Sequence, residues 1–262
     1  MNKISTFKGV YLVSHKCYER VSALRFAKCR KWYAQKLRIT AKKYGVSIIN
    51  YLVARDGVYV LCDVADPKQI STMMQVLQSS ASKEFASKRG GESSMWRGRF
   101  IATLVNGEIL IRQCMLLLDL HMTSTKHIIH PAEWKHGGWQ ELTGTKKRCK
   151  IISTAHAMKA WGTSGDEGKF RGEYVSAVET CCLDNSFGCL EIWTKALAVG
   201  SAEWINHLSV AISSTFRSID ILPQSALPQS YDDIEAVSLT VSQKRRRGYL
   251  DRLSQKMDCI DT

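Results

Sequence analysis

No apolar run in the 262-residue chain comes near the ~18 residues a bilayer-spanning helix needs; the longest, around Met115 to Leu118, has the length of a core segment. The opening residues, Met1 to Lys8, are polar and lack the apolar stretch of a signal peptide, so the expected setting is cytoplasmic and nucleoid-associated, without membrane contact. The nine cysteines stand at 17, 29, 62, 114, 149, 181, 182, 189 and 259, and none forms a Cys-x-x-Cys pair. A zinc knuckle and a thioredoxin-type site both need that spacing and are excluded. The vicinal pair Cys181 and Cys182 is expected to be reduced rather than a strained disulfide. No cofactor is expected.

Acidic charge is also in short supply, on one side of the chain. Residues 1–150 hold 26 Lys+Arg and 10 Asp+Glu, and residues 151–262 hold 11 and 14. One-signed charge concentrated on one domain raises the local potential and attracts a polyanion. Nucleic acid is therefore the expected partner of the N-terminal half.

The pattern of the first 150 residues predicts an α+β domain. Gly9 to His15 alternates and is rich in β-formers, so it reads as a strand. Ser22 to Tyr44 has no Gly or Pro and reads as a helix stopped by Gly45, with Lys28, Lys31, Lys42 and Lys43 on a charged face. Val46 to Val53 and Gly57 to Asp63 read as a hairpin around Ala54-Arg55-Asp56. Asp66 caps a helix with Pro67 in its first turn, running to about Lys88. A strand from Ile101 to Val105 and a strongly apolar helix from Glu108 to His121 follow. The expected architecture is an antiparallel sheet with packed helices.

Beyond 150 the reading is a mainly helical extension over 151–218, with a glycine-rich loop from Trp161 to Gly172. Helices are expected near Arg171 to Leu183 and Ala202 to Phe216. Residues 219–241 read as a linker, on the repeated Leu-Pro-Gln-Ser, and 242–262 as a basic tail.

The order of short motifs is specific. Tyr11-Leu12-Val13-Ser14 is followed by Tyr44-Gly45, then by Tyr51 to Leu61, then by Met95-Trp96-Arg97-Gly98-Arg99-Phe100, then by Pro131 to Trp139. In that order they resemble the REP-associated tyrosine transposases, a branch of the single-tyrosine HUH transposases. Ala198 to Trp204 is similar to a further motif of longer members. The resemblance implies an HUH, ferredoxin-like fold over 1–150 that recognises DNA hairpins or single strands. In active relatives a His-x-His pair binds a divalent metal and a helix-borne tyrosine attacks the scissile phosphate.

The residues that match this chemistry are missing here. The two histidine positions correspond to Gly57 and Tyr59, and glycine has no ligand atom. The helix that would carry the nucleophile, Met74 to Arg89, has no tyrosine, and none occurs between Tyr59 and Tyr174. Ser79, Ser80 and Ser82 are unactivated hydroxyls. His127 and His130 lie in a loop away from the hairpin. The reading is a catalytically inactive, transposase-derived DNA-binding protein, serving as a regulator or as the DNA-recognition part of an assembly.

The expected contacts are Trp96, Arg97 and Arg99, an aromatic plane between two guanidinium groups suited to phosphates and an unpaired base. Lys83, Lys88 and Arg89 extend that strip, and Lys146, Lys147 and Arg148 with Lys150 form a second cluster. Lys244, Arg245, Arg246 and Arg247 form a basic run in the tail. Two alternatives stand beside this reading. One is a metal-dependent nuclease with a rebuilt site of Asp56, Asp63 and Glu84. The other is a subunit that binds RNA with its basic half and a protein partner with its acidic C-terminal half.

Overall fold

Strand β1, Gly9–Lys16, has antiparallel neighbours on both sides: β3, Gly57–Val64, with Lys16 opposite Gly57, and β4, Ile101–Val105, with Ser14 opposite Ile101. β2, Ser47–Val53, pairs with β3 through the expected hairpin, with a register shift between Ile48 and Asn50. The computed structural model describes residues 7–18, 23–89, 95–184, 190–213, 219–223 and 236–241. In it the sheet runs β2-β3-β1-β4 and then continues through β5, Ala198–Ser201, to β7, Ala236–Val241, and β6, Ile219–Pro223. β5 joins β4 in parallel; the pairs beyond it are antiparallel.

Both faces of the first four strands are covered. Helix α1, Ala27–Tyr44, and α2, Lys68–Arg89, take the face that carries His15: Trp96 stacks on His15, meets Tyr33 of α1 edge-on and donates to the Gln78 carbonyl of α2. α1 ends where expected, on Gly45 at φ +67°. Asp66 caps α2 by accepting the Lys68 amide N–H at 2.8 Å. Helix α3, Glu108–Ser124, takes the other face, with Tyr59 against His121 and Asn50 donating to the Met115 carbonyl at 2.9 Å.

Every residue of α3 from Gln113 to Leu120 is buried, as an all-round apolar helix requires. The one acid in that buried stretch, Asp119, accepts a 2.6 Å hydrogen bond from Tyr174 of α6, Glu167–Leu183. Burial pushes the Asp119 carboxyl up to about 7. This polar knot ties α3, β2 and α6 together inside the core.

A bare edge on β2 would invite pairing with another chain. Residues 134–153 cover it. Val53 N–H donates to the His136 carbonyl, Trp134 donates from its indole to the Val53 carbonyl, and Ser153 N–H donates to the Ile48 carbonyl. Trp134 and Trp139, the aromatic residues of the fifth motif, are both buried. Helix α4, Trp139–Leu142, sits in this cover.

The C-terminal expectations need three corrections. The glycine-rich loop is shorter than read: α5, Thr154–Trp161, runs into it and ends on Gly162 at φ +78°, and α6 starts at Glu167. Asp166 supplies the missed start signal by accepting the Lys169 amide at 2.8 Å. The extension is helical in α7, Leu190–Lys195, and α8, Ala202–Ser213, but it also supplies strand β5. The segment read as a linker carries β6 and β7 at its two ends. Val237, Leu239 and Val241 alternate as a strand does, and the Pro/Ser composition of the stretch between the two strands hides that pattern. The basic run Lys244 to Arg247 lies outside the described residues.

Candidate nucleic-acid interface

At one end of the sheet the last residues of β1, the β2–β3 turn and the segment before β4 are locked together. Cys17 forms a bridge with Trp96, and its N–H donates to the Asp56 carbonyl at 2.7 Å. Arg97 N–H donates to the Lys16 carbonyl at 2.8 Å, and Tyr18 N–H to the Met95 carbonyl at 3.1 Å. Gly98 turns the chain at φ +72°, a conformation that favours glycine. Arg97 and Arg99 flank it on the exposed side.

Trp96 is the anchor of this turn. It is 4% exposed, so its ring is not open to an unpaired base, and the stacking role expected of it passes to the core. The reason is the partner on β1: His15 lies flat against it, with centroids 4.3 Å apart and planes at 14°. Burial pulls the His15 imidazole down to about 4, so the ring is neutral at physiological pH. Its Nε2 is 3.0 Å from the Gly98 carbonyl oxygen. A carbonyl only accepts, so Nε2 carries the proton. The two arginines therefore project from a backbone held by a buried stack and a partly buried hydrogen bond.

Around them lie residues that sequence reasoning did not single out. Lys16 ends β1 and Arg55 is exposed in the hairpin turn. At the C-terminal end of α3, burial above all lowers the His121 pKa; Lys16 and His127 lower it further, and Asp56 opposes them. Those groups are thus neighbours, with Lys126 exposed beside His127. The usable signal was positional: strand ends and a hairpin turn that converge on one edge.

The two positions matching the metal pair are filled by backbone and by a ring. A Cβ placed on Gly57 would sit 2.7 Å from the His15 carbonyl oxygen and 3.2 Å from Lys16 Cα. β1 approaches β3 too closely there for any side chain. Tyr59 is 2% exposed, its ring 5.4 Å from that of His121. Its hydroxyl donates to Asp56 at 3.4 Å.

The alternative carboxylate site is not assembled as expected. Asp56 precedes β3 and Asp63 lies near its far end, a separation of roughly 23 Å at strand rise, so they cannot share one cation. Among the described residues no group of three or more His, Cys, Asp or Glu side chains is arranged to hold a metal. His127 Nδ1 meets Thr125 Oγ1 at 2.9 Å, while His130 Nδ1 accepts the Ala132 N–H and its Nε2 lies 3.2 Å from Glu179.

The remaining expected contacts divide. Lys83 is exposed on α2; Lys88 and Arg89 fall in its last turn, with side chains outside the described part. Lys147, Arg148 and Lys150 are exposed. Lys146 is not available in the same way, because its ammonium is 2.6 Å from Glu141, whose side chain is 1% exposed. The Glu141 carboxylate also accepts from Tyr51 and from the Ile151 and Ile152 amides. A buried carboxylate needs such company, and Lys146 supplies part of it.

No family model matches the chain, and no curated protein matches it. One solved structure of similar shape is a REP-associated tyrosine transposase bound to a REP hairpin, aligned over 56% of this chain and 88% of its own, at 12% identity and a TM-score of 0.44. No helix among the described residues is long and apolar enough to cross a membrane.

Proposed function

We propose that this chain binds hairpin or single-stranded DNA through the basic end of its sheet and does not cut it. It would act as a regulator or as the DNA-recognition part of an assembly. The observation that carries the reading is the contact at Gly57: the strand pair closes over the first metal-ligand position, while Arg97 and Arg99 beside it remain exposed on a clamped turn. The guanidinium forks suit phosphate oxygens bidentately, and a turn fixed in advance spares the cost of ordering it on binding. Lys16, Arg55 and Lys126 raise the potential of the same edge.

The test is a salt series of binding to a labelled DNA hairpin with a single-stranded tail. Affinity should fall steeply with salt, and Arg97→Ala with Arg99→Ala should lower the log–log slope by about 1.4, at ~0.7 per phosphate contact on a single strand. Binding that ignores both salt and the double substitution sinks the reading. Tighter binding of an RNA hairpin of the same sequence would move it from DNA to RNA.

A further inference from the structure

Helix α1 contains seven Lys and Arg residues and no acidic one. Its inward side, Arg30, Tyr33, Leu37, Thr40 and Ala41, is buried against the sheet and α2. On the opposite side Lys28, Lys31, Gln35, Arg38 and Lys42 are all exposed. At 3.6 residues per turn these five fall within an arc of roughly 80° and span about 21 Å of helix axis. None of the four cations belongs to an ion pair of the described residues, which form elsewhere.

The stripe begins at the basic sheet end. Arg30, in the first turn of α1, donates to the Leu24 and Arg25 carbonyls, and its guanidinium lies 4.6 Å from the Trp134 ring centroid. Burial and the nearby charge of Arg55 in the β2–β3 turn hold that guanidinium below its ordinary value. The row of cations therefore leads away from the edge that carries Arg55, Arg97 and Arg99.

The stripe has charge without a stacking platform. Along its length the flanking aromatic residues, Trp32 and Tyr44, are half-buried and covered by the ammonium groups of Lys36 at 5.7 Å and Lys43 at 5.3 Å; the exposed aromatics, Phe26 at the N-terminal cap of α1 and Tyr18 just after β1, lie at the sheet-end start of the stripe. Single strands are held by bare aromatic faces as well as by charge; a straight row of point charges matches a phosphate backbone and carries no base readout. A duplex of the same length presents about 12 phosphates on its two strands.

We propose that Lys28, Lys31, Arg38 and Lys42 lie along the backbone of a duplex stem, while the sheet end holds the unpaired strand that leaves it. This rests on the nucleic-acid reading above and assigns the two parts of one ligand to two surfaces.

The test compares two DNA probes, a tailed hairpin and the tail alone, over a potassium chloride series. It uses the unaltered full chain, the variant Lys28→Gln/Lys31→Gln/Arg38→Gln/Lys42→Gln, and the variant Arg97→Ala/Arg99→Ala. The α1 variant should lower the hairpin slope by about 3–4, so that its deficit against the unaltered chain is roughly 100-fold greater at 50 mM than at 200 mM salt, and leave the tail slope unchanged. The sheet-end variant should weaken both probes. Lys28→Arg/Lys31→Arg/Lys42→Arg, which keeps the charge, should restore the hairpin slope and guards against a folding defect. An unchanged hairpin slope in the α1 variant, or an equal drop on the tail, overturns the stripe and leaves the sheet end standing. Failure of the unaltered chain to bind either probe overturns the nucleic-acid reading and the stripe with it. Capture of the chain by anionic lipid vesicles through the same four residues, with no hairpin binding, does so too.

Discussion

His15 and Trp96 stack face to face at 4.3 Å, with the histidine proton directed to the Gly98 carbonyl 3.0 Å away. The pair sits below the Arg97–Arg99 turn and fixes it to β1. Removing the ring should therefore act through stability first. Trp96→Ala is expected to cost about 3–5 kcal/mol in urea unfolding, as large-to-small core changes do. A variant of full stability that had lost DNA binding would instead mark Trp96 as a stacking platform.

The closeness of β1 and β3 makes a second prediction. Gly57→Ala should destabilise the fold by ~1–3 kcal/mol, because the added carbon meets backbone rather than a side chain that can move. Gly57→His with Tyr59→His should not build a metal site. Its melting temperature should not rise on adding manganese; a clear rise would show that the strands can part to admit a ligand pair.

How much of this was legible beforehand depends on distance along the chain. Gly45 as a cap, Asp66 as a start signal and the hairpin at Ala54 to Asp56 are local, and backbone chemistry alone announces them. The burial of Trp96 is not local. The motif Trp-Arg-Gly-Arg looks the same whether its ring faces solvent or a histidine 81 positions earlier in the sequence. The Lys146–Glu141 contact had the same fate, since a cluster of lysines does not say which member has a buried carboxylate to serve. The strands β6 and β7 were hidden because the residues between them have a linker's composition. Gly57 and Tyr59 were found through the resemblance, and the structure adds why one of them must be glycine.

Two buried groups give the stability profile opposing slopes. His15 titrates near 4 in the folded chain and near 6.5 unfolded. As pH falls from about 6.5 to 4 the unfolded chain gains a proton that the folded one refuses, and stability is lost. Asp119 is the reverse: its folded value is about 7 against an ordinary 3.8, so stability falls as pH rises from about 4 to 7. Asp119→Asn removes only the second slope. The difference between variant and unaltered chain should move in the variant's favour by up to ~1.4 kcal/mol per pH unit across that window and then level off. A difference that stays flat from pH 4 to 8 would contradict the account of Asp119.

Lys146 and its neighbours separate structure from binding. Lys146→Met should lower stability by ~1.5–3 kcal/mol, the usual worth of a hydrogen bond to a charged group, and leave the salt dependence of DNA binding unchanged. Lys147→Gln with Arg148→Gln, at exposed positions, should leave stability within about 0.5 kcal/mol. Urea melts and a salt series on the same samples check both halves.

The central claim, a basic edge that grips a strand with no site to break it, is tested most directly by mixing the full chain with an end-labelled tailed hairpin in magnesium or manganese. Denaturing electrophoresis should then return intact DNA and unmodified protein, while a native gel of the same mixture shows a salt-sensitive complex. A labelled band that stays with the protein under denaturing conditions, or a metal-dependent cut in the tail, would contradict it.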